Sequence, residues 1–572
     1  ITKICILSEN PAQYKNLEAK NVISMHRDNI IRAQEDLKKI SGVSALIYDQ
    51  TCAAEKRRRR KRGLLEDPIQ RVFINPEICE GCGDCSVQSN CVSIEPLETT
   101  HGRKRKINQA NCNKDYSCLK GFCPSFITAN VIPKKVELTE NFERLDDPQV
   151  SQKDVTNIML TGIGGTGVLT ISALLGMAAH IEGKISTTLD LTGLAQKGGA
   201  VWSHIKIFSK DKIPFSHKIS PASTDLLLAC DPIVAAKEEI QETFSKSKTY
   251  SVVNASLSPV ADFVKERDIA FMEEETIDLI KKSCFELTSL LPASKIAEDL
   301  SNDAIGSNLV MLGAAFQAGL IPLKKESIEE AIVLNKVGAT NNLYCFNLGR
   351  AYVQNPQQPI FRNFLKKNPD ESLEQVLSKR RELLKQYGRK ELEKYNNSFS
   401  EAHELLKNEI TAEPVLIRLA KELYRLIAIK DEYQVAKFHI ERSKELVNGY
   451  GEKYSNLNFY LAPPLLSFIK DQKTQRPKKF KLPAYIALPI FYLLGSLKFL
   501  RGSPLDVMKH SKDRKLALKH QKIFFNELNN ISHLPEGKRL SSVSNLLLRS
   551  ERVKRFGPVR ESSFDEFLKS SP

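Results

Sequence analysis

The chain has 572 residues, of which 41% are apolar and 27% charged, with a formal net charge of +16. That length exceeds a single hydrophobic core, so three or four domains are expected, and the composition is that of an ordinary soluble globular protein. No charged-then-apolar leader follows Ile1, which argues against a secretory signal and suggests a chain that begins inside a longer protein.

Residues 1–70 read as a short α/β piece, with a helix over Arg27–Ile40 and a strand over Ser44–Tyr48. It is too small for its own core and reads as the remnant of a domain whose body is missing. Residues 71–136 hold the cysteine-rich unit, and the polar stretch Glu137–Asp154 reads as a linker. From residue 155 to about 364, strand-like and helix-like segments alternate. Strands are expected at Ile158–Leu160, Ala200–Phe208, Leu226–Ala229 and Thr249–Val253, with a helix over Val168–His180. Such alternation implies a doubly wound, largely parallel sheet. Strand signals vanish over 365–572, where charged helical patterns dominate; Val415–Ile429, behind Pro414, is the best of them. The most apolar stretch, Leu482–Leu497, carries Pro483, Pro489 and Gly495 and falls short of the roughly 20 residues of a membrane span. It reads as a buried helix pair, and no membrane partner is expected.

Two basic runs, Lys56–Arg62 and Lys478–Lys481, read as solvated faces, with a docking surface for an acidic electron carrier as the second reading. A nucleic-acid strip at Lys56–Arg62 is disfavoured because no aromatics are interleaved with the charges.

Seven of the twelve cysteines lie between Cys79 and Cys123. This clustering points to metal ligation in a reducing compartment, the cytoplasm, rather than to a disulfide scaffold. The order is Cys79-x2-Cys82-x2-Cys85-x5-Cys91, then Cys112-x5-Cys118-x4-Cys123-Pro124. A tight C-x2-C-x2-C turn presents three thiolates on one side, and a remote fourth closes the cage of a 4Fe–4S cluster. In two-cluster ferredoxins the fourth cysteine of each run serves the other cluster, which predicts Cys79, Cys82, Cys85 and Cys123 around one cluster. Cys91, Cys112 and Cys118 remain, either for a second cluster with Asp115 at the middle position that a cysteine would otherwise hold, or as vestigial cysteines beside a single cluster. Zinc is disfavoured, because a structural zinc site wants two separated C-x2-C pairs and the second run has none.

Gly162-Ile-Gly164-Gly165-Thr-Gly167 follows a strand and opens a helix. Three readings stay open: strand–helix packing, phosphate binding at the helix N-terminus, and a dinucleotide turn with Asp190 as its acidic partner. Asp190 has no clear strand behind it. The stretch through Gln196, Gly198, Gly199, Trp202 and His204 reads as a functional loop or as a structural loop packed by Trp202, with His204 a satisfied strand residue.

Several segments together resemble one family, the single-chain indolepyruvate-type 2-oxoacid:ferredoxin oxidoreductases. They are Ile47–Arg62, Val72–Cys85, Gly162–Gly167, Gly193–Ala200, Lys430–Ala436, Leu461–Leu466 and Leu500–Asp506, with Arg555–Arg560 a looser match. The resemblance implies oxidative decarboxylation of a 2-oxoacid with thiamine diphosphate and Mg2+, acyl transfer to coenzyme A, and single electrons leaving through iron–sulfur clusters to ferredoxin. It also implies a domain order: a thiamine-binding unit (here only 1–70), a ferredoxin-like iron–sulfur domain (71–136), a gamma-type Rossmann-like domain (155–364) and a helical C-terminal domain (365–572). A homo-oligomer is expected. The thiamine-binding core of the family lies upstream of what is Ile1 here, so the chain alone is not expected to turn over, and its missing N-terminal region is a required partner. The alternative is an NAD-linked iron–sulfur electron-transfer subunit using Gly162–Gly167.

Overall fold

The computed structural model describes every residue except 18, 100, 134–143, 151–152, 194–198, 211, 213, 257–272, 302, 366–370, 408, 410–411, 472–474, 555 and 571–572. The chain divides into two units, Ile1–Ile69 with Asn113–Asp115, and Gln70–Cys112 with Tyr116–Pro572.

In the first unit, β1 (Lys3–Ser8), β2 (Val22–His26) and β3 (Ser44–Asp49) form a parallel sheet in the order β2-β1-β3. Its small core gathers Cys5, Leu7 and Ala33, with Ile23, Ile30 and Leu37 against them. The expected helix starts later, at Ile30, because Arg27–Asn29 form a 3-10 turn whose Asp28 amide donates to His26 Nδ1. The basic helix Ala53–Lys61 is partly paired within its own unit. Lys56 meets Glu9 at 2.8 Å, Arg59 meets Glu55 at 3.1 Å, and Arg60 donates to the Asn113 carbonyl at 2.6 Å.

In the second unit, β4 (Gln70–Ile74), β5 (Ile94–Thr99), β6 (Gly102–Ile107) and β7 (Phe126–Pro133) carry the cysteine region. A six-stranded sheet follows, built from β8 (Val155–Ile163), β9 (Ile185–Thr192), β10 (Ala200–Phe208), β11 (Leu226–Ala229), β12 (Tyr250–Asn254) and β13 (Glu286–Leu291) in the order β13-β12-β11-β8-β10-β9. Successive β8 side chains face opposite layers: Ile158 and Leu160 join one core with Val168, Ile171, Val310 and Phe346, while Met159 joins another with Leu227, Val234 and Phe244. Helices therefore cover both faces, giving a three-layer α/β arrangement.

The expectation of a largely parallel sheet holds over β13, β12, β11 and β8 only. β10 runs antiparallel to both β8 and β9. The seven residues between Thr192 and Ala200 are too few for the crossover of a dozen or more that a parallel pairing needs. Asp190, expected to have no strand behind it, lies inside β9. The linker expectation is corrected at its described end: Arg350, on the helix Ala339–Gln354, donates to Asp146 O at 3.2 Å and Asp147 Oδ1 at 2.7 Å.

The expectation of an all-helical region after 365 is also corrected. β14 (Gly451–Leu461) pairs antiparallel with β7 and with β15 (Phe480–Pro483), so a four-stranded sheet runs β15-β14-β7-β4. Phe73, Ile127, Ala129 and Val131 of the cysteine region share one core with Ala436, Val447, Leu457, Phe459 and Phe491. The helices Leu373–Lys385, Arg389–Leu406, Glu413–Ile427, Lys512–Ser532, Glu536–Arg552 and Gly557–Lys569 form a separate core around Tyr395, Leu419, Phe524 and Leu547.

The stretch read as a buried helix pair is one helix, Ala484–Ser496, with Pro489 inside it. Only Ala487 and Phe491, four residues apart, are buried, whereas Tyr485 is 77% and Leu493 61% exposed. An apolar stretch at helical pitch buries one stripe and leaves the remaining faces open. Among the described residues, no helix is long and apolar enough to cross a membrane.

Candidate functional site

β4 delivers the chain into a turn at Asn75, whose carbonyl accepts from the amides of Ile78 and Cys79 at 3.2 and 2.9 Å. The turn then tightens around Gly81, where φ is +63° and a Cβ would stand 2.2 Å from the Arg103 carbonyl oxygen. Only glycine fits there, which explains the residue type between Cys79 and Cys82. The short helix Asp84–Ser89 carries Cys85, and Cys123 arrives from the segment before β7.

Cys79, Cys82, Cys85 and Cys123 line one cavity together with Asp84, Arg105 and Ser125. Burial pushes the thiols of Cys82 and Cys85 up, and the neighbouring thiolates push the same way. Cys123 is raised to about 11 by burial and by Cys79, against the pull of Lys479. Buried thiols raised in this way ionise together only around a positive centre, since metal binding is what displaces their protons. The Gly81 amide donates to Cys79 Sγ at 3.4 Å, and the Ser125 hydroxyl lies 2.8 Å from Cys123 Sγ. Among the described residues, no group of three or more His, Cys, Asp or Glu is gathered as a site for a metal ion. A cubane spreads its ligands around a cage instead of converging them on one ion, and the residues present fit that donor set.

The surrounding shell contains residues that the sequence did not single out. Arg105 is 1% exposed and its charge faces Cys85, Cys79 and Cys82. Lys479 donates to the carbonyls of Leu119 and Gly121 at 3.0 and 2.6 Å, with Cys123 and Cys118 supporting its charge against burial. This corrects the solvated reading of Lys478–Lys481 for that one lysine. Asp84 accepts from the Phe122 amide at 2.7 Å and meets Arg476 at 3.1 Å. His439, on the helix Glu432–Tyr450, donates from Nε2 to the Pro124 carbonyl at 2.8 Å. A lysine in a basic run and a histidine more than 300 residues from Pro124 carry no local signal of such roles.

Cys91, Cys112 and Cys118 pack into the same apolar cluster as Cys79, Cys85 and Cys123. Asp115 is exposed and belongs to the Ile1–Ile69 unit.

The glycine-rich turn joins β8 to the helix Val168–Ile181. A Cβ at Gly162 would stand 2.4 Å from Val168 Cγ2, and Gly165 and Gly167 have φ of +85° and +94°. The Gly164 amide donates to Gly199 O at 2.7 Å, and Asn308 Nδ2 donates to Thr166 O at 2.9 Å. The structure thus brings Gly164 and Gly199 together; Gln196 and Gly198 lie outside the described residues. Asp190 Oδ1 accepts from Ser172 at 3.0 Å and from Ser203 at 2.5 Å. It is occupied within the sheet, on a strand separated from β8 by β10, unlike the acidic partner of a dinucleotide turn. Trp202 lies within β10, its ring under Lys237 Nζ at 5.6 Å, and not in a loop. His204 accepts from the Ile219 amide at 3.2 Å and is lowered to about 4 by burial and by Lys218 and Lys206.

The second unit thus holds both a four-cysteine cavity and a three-layer α/β sheet. Residues 157–352 match the pyruvate ferredoxin/flavodoxin oxidoreductase family, and residues 373–570 match a family of unknown function. The chain is 27% identical over 199 residues to indolepyruvate oxidoreductase subunit IorB of Thermococcus kodakarensis, covering 34% of this chain and 93% of that one. It is 28% identical to 2-oxoglutarate synthase subunit KorC of Methanocaldococcus jannaschii, covering 34% and 90%. Among solved structures, a keto/oxoacid ferredoxin oxidoreductase gamma subunit from Geobacter sulfurreducens aligns at 21% identity over 35% of this chain and 98% of that one, with a TM-score of 0.25. Residues 157–352 thus form a domain of the pyruvate ferredoxin/flavodoxin oxidoreductase family, similar to subunits of 2-oxoacid oxidoreductases.

Proposed function

We propose that this chain is the electron-relaying C-terminal half of a fused indolepyruvate-type 2-oxoacid:ferredoxin oxidoreductase, with Cys79, Cys82, Cys85 and Cys123 holding a 4Fe–4S cluster. The carrying observation is the convergence of those four cysteines on one buried cavity, in a chain that also holds the oxidoreductase-family domain. When bound, such a cluster supplies one-electron transfer. The residues of the chain set the conditions for it. Arg105 and Lys479 offset the negative charge of four thiolates, the Gly81 amide and Ser125 hydroxyl neighbour the sulfurs of Cys79 and Cys123, and Phe126, Ile74 and Ile94 keep water away. Electrons pass to ferredoxin, and the acyl chemistry with thiamine diphosphate, Mg2+ and coenzyme A belongs to the complete enzyme. The indolepyruvate preference is supported by the sequence resemblance and by the IorB relatives. The NAD-linked alternative finds less support, because Asp190 is held by two serines.

Iron and sulfide analysis of the full chain after anaerobic reconstitution tests the proposal. About four irons per chain, lost in Cys82→Ser, are expected for this site; about eight would add a second cluster on Cys91, Cys112 and Cys118. One zinc and no iron would overturn the reading. Bleaching of the visible absorbance by NADH would instead favour the alternative.

A further inference from the structure

We infer that the cavity walled by Lys430–Ala436, Leu461–Pro464 and the helix Ala484–Ser496 is a binding site for a small aromatic molecule carrying one N–H or O–H group. The cavity measures about 320 Å³ and is lined by Phe122, Val435, Leu461, Leu494, Phe491 and Phe556, among others. Small-molecule sites span roughly 300–1,000 Å³, mostly apolar with a few placed polar groups. Three phenylalanine rings and three prolines, Pro124, Pro463 and Pro464, favour a flat ring over a branched aliphatic body.

The charged side chains at this cavity are already committed, with one exception. Lys430 meets Glu80 at 2.5 Å, Asp431 meets Arg501 at 2.6 Å, and Arg514 meets Asp506 at 2.9 Å. Arg560 donates to the Asp513 carbonyl, and Lys479 to two other carbonyls. Glu432 is the exception: its Oε2 is buried with no hydrogen-bond partner among the described residues. An orphaned buried acceptor is costly and calls for an explanation, and a donor on a ligand supplies one. Burial, with Asp431 and Asp513 adding to it, raises this carboxyl to about 7.

The same site accounts for sequence segments that electron relay does not use. Tyr433 donates to Asp506 at 3.0 Å, the Gly502 amide donates to Asp506 at 2.7 Å, and Arg501 grips Asp431 through two nitrogens. Leu500–Asp506, which does not itself line the cavity, thereby holds the wall Lys430–Ala436 in place. Cys123 lines this cavity and the four-cysteine cavity alike, yet the inference stands independently of any cluster.

The test titrates the full chain with 2-naphthol and with 2-methoxynaphthalene, which has the same rings and no donor, by calorimetry. One saturable site per chain is expected, with 2-naphthol bound about tenfold tighter, the worth of a hydrogen bond to a charged acceptor. Glu432→Leu should erase that preference while leaving 2-methoxynaphthalene bound. Leu494→Trp and Ala462→Leu, which fill the cavity from two different elements, should each weaken both compounds at least tenfold, with circular dichroism verifying the fold. No saturable binding, or binding untouched by both filling variants, overturns the site. Equal affinity for the two compounds in the parent overturns the assigned ligand chemistry.

Discussion

Glu298, on the helix Ala293–Ser301, shares the amide of Asn108 with Glu95: Asn108 Nδ2 donates to Glu298 Oε1 at 2.6 Å and to Glu95 Oε1 at 2.7 Å. Burial and the neighbouring Glu95 raise the Glu298 carboxyl to about 7 from 4.5, with Lys106 opposing. The folded chain therefore holds a proton here that the unfolded chain releases near 4.5. The associated stability is fully present below about pH 4.5 and is lost as pH rises through about 7. At about 1.4 kcal/mol per unit, the loss is at most about 3.5 kcal/mol, complete above about pH 8. Glu298→Gln keeps the acceptor for Asn108 and removes the ionisation. The variant should melt with the parent at pH 5 and several degrees above it at pH 8, measured by circular dichroism on the full chain. A difference of the same size at both pH values, or a variant less stable at pH 8, would refute the reasoning, because the carboxylate would then be paired instead of stranded.

Gly165→Val forces a β-branched residue to φ +85° and should cost about 1–3 kcal/mol, with Gly165→Ala milder; a parental melting curve for the valine variant counts against a tight turn. Gly349→Ala places a Cβ 1.9 Å from the Val310 carbonyl oxygen and must part the helices Ser307–Gln317 and Ala339–Gln354. A loss of about 3 kcal/mol or more in urea unfolding is expected, and a loss under 1 kcal/mol shows that the helices can separate cheaply. Lys479→Met should leave the iron content intact and lower the reduction potential of the proposed cluster in a redox titration, since a cation beside Cys123 favours the more negative, reduced state; an unchanged potential excludes that role.

The sequence was most legible where one local rule governed both structure and chemistry. The strands Ala200–Phe208 and Leu226–Ala229 were read at their observed bounds, because apolar runs bounded by turn residues leave little choice. Spacing groups Cys79, Cys82 and Cys85, the ferredoxin crossing rule adds Cys123, and the structure brings the four to one cavity. β14 was missed because its alternation is broken: the register shifts between Ser455 and Asn458, and Asn456 sits at φ +50°. Among the described residues, Leu457 and Phe459 are its buried apolar side chains, too short a pattern to read as a strand. The directions of β9 and β10 were missed for another reason, since a parallel and an antiparallel strand share the same period. Arg105, Lys479 and Glu432 were invisible because tertiary packing alone distinguishes a buried charge from a solvated one.

The pairing of β7 with β14 also imposes an order in time. The partner strand of β7 lies more than three hundred residues downstream, which at a synthesis rate of about 5–20 residues per second is a delay of roughly 15–60 s. Throughout that interval β7 offers an open edge to any passing strand, and Pro124, next to Cys123, lacks its His439 anchor. Assembly of the cysteine site at the front of the chain therefore waits on the arrival of its far end. A ribosome that stalls before Gly451–Leu461 are made would leave the edge of β7 open and the thiols without that cover, even though every proposed ligand had already been made.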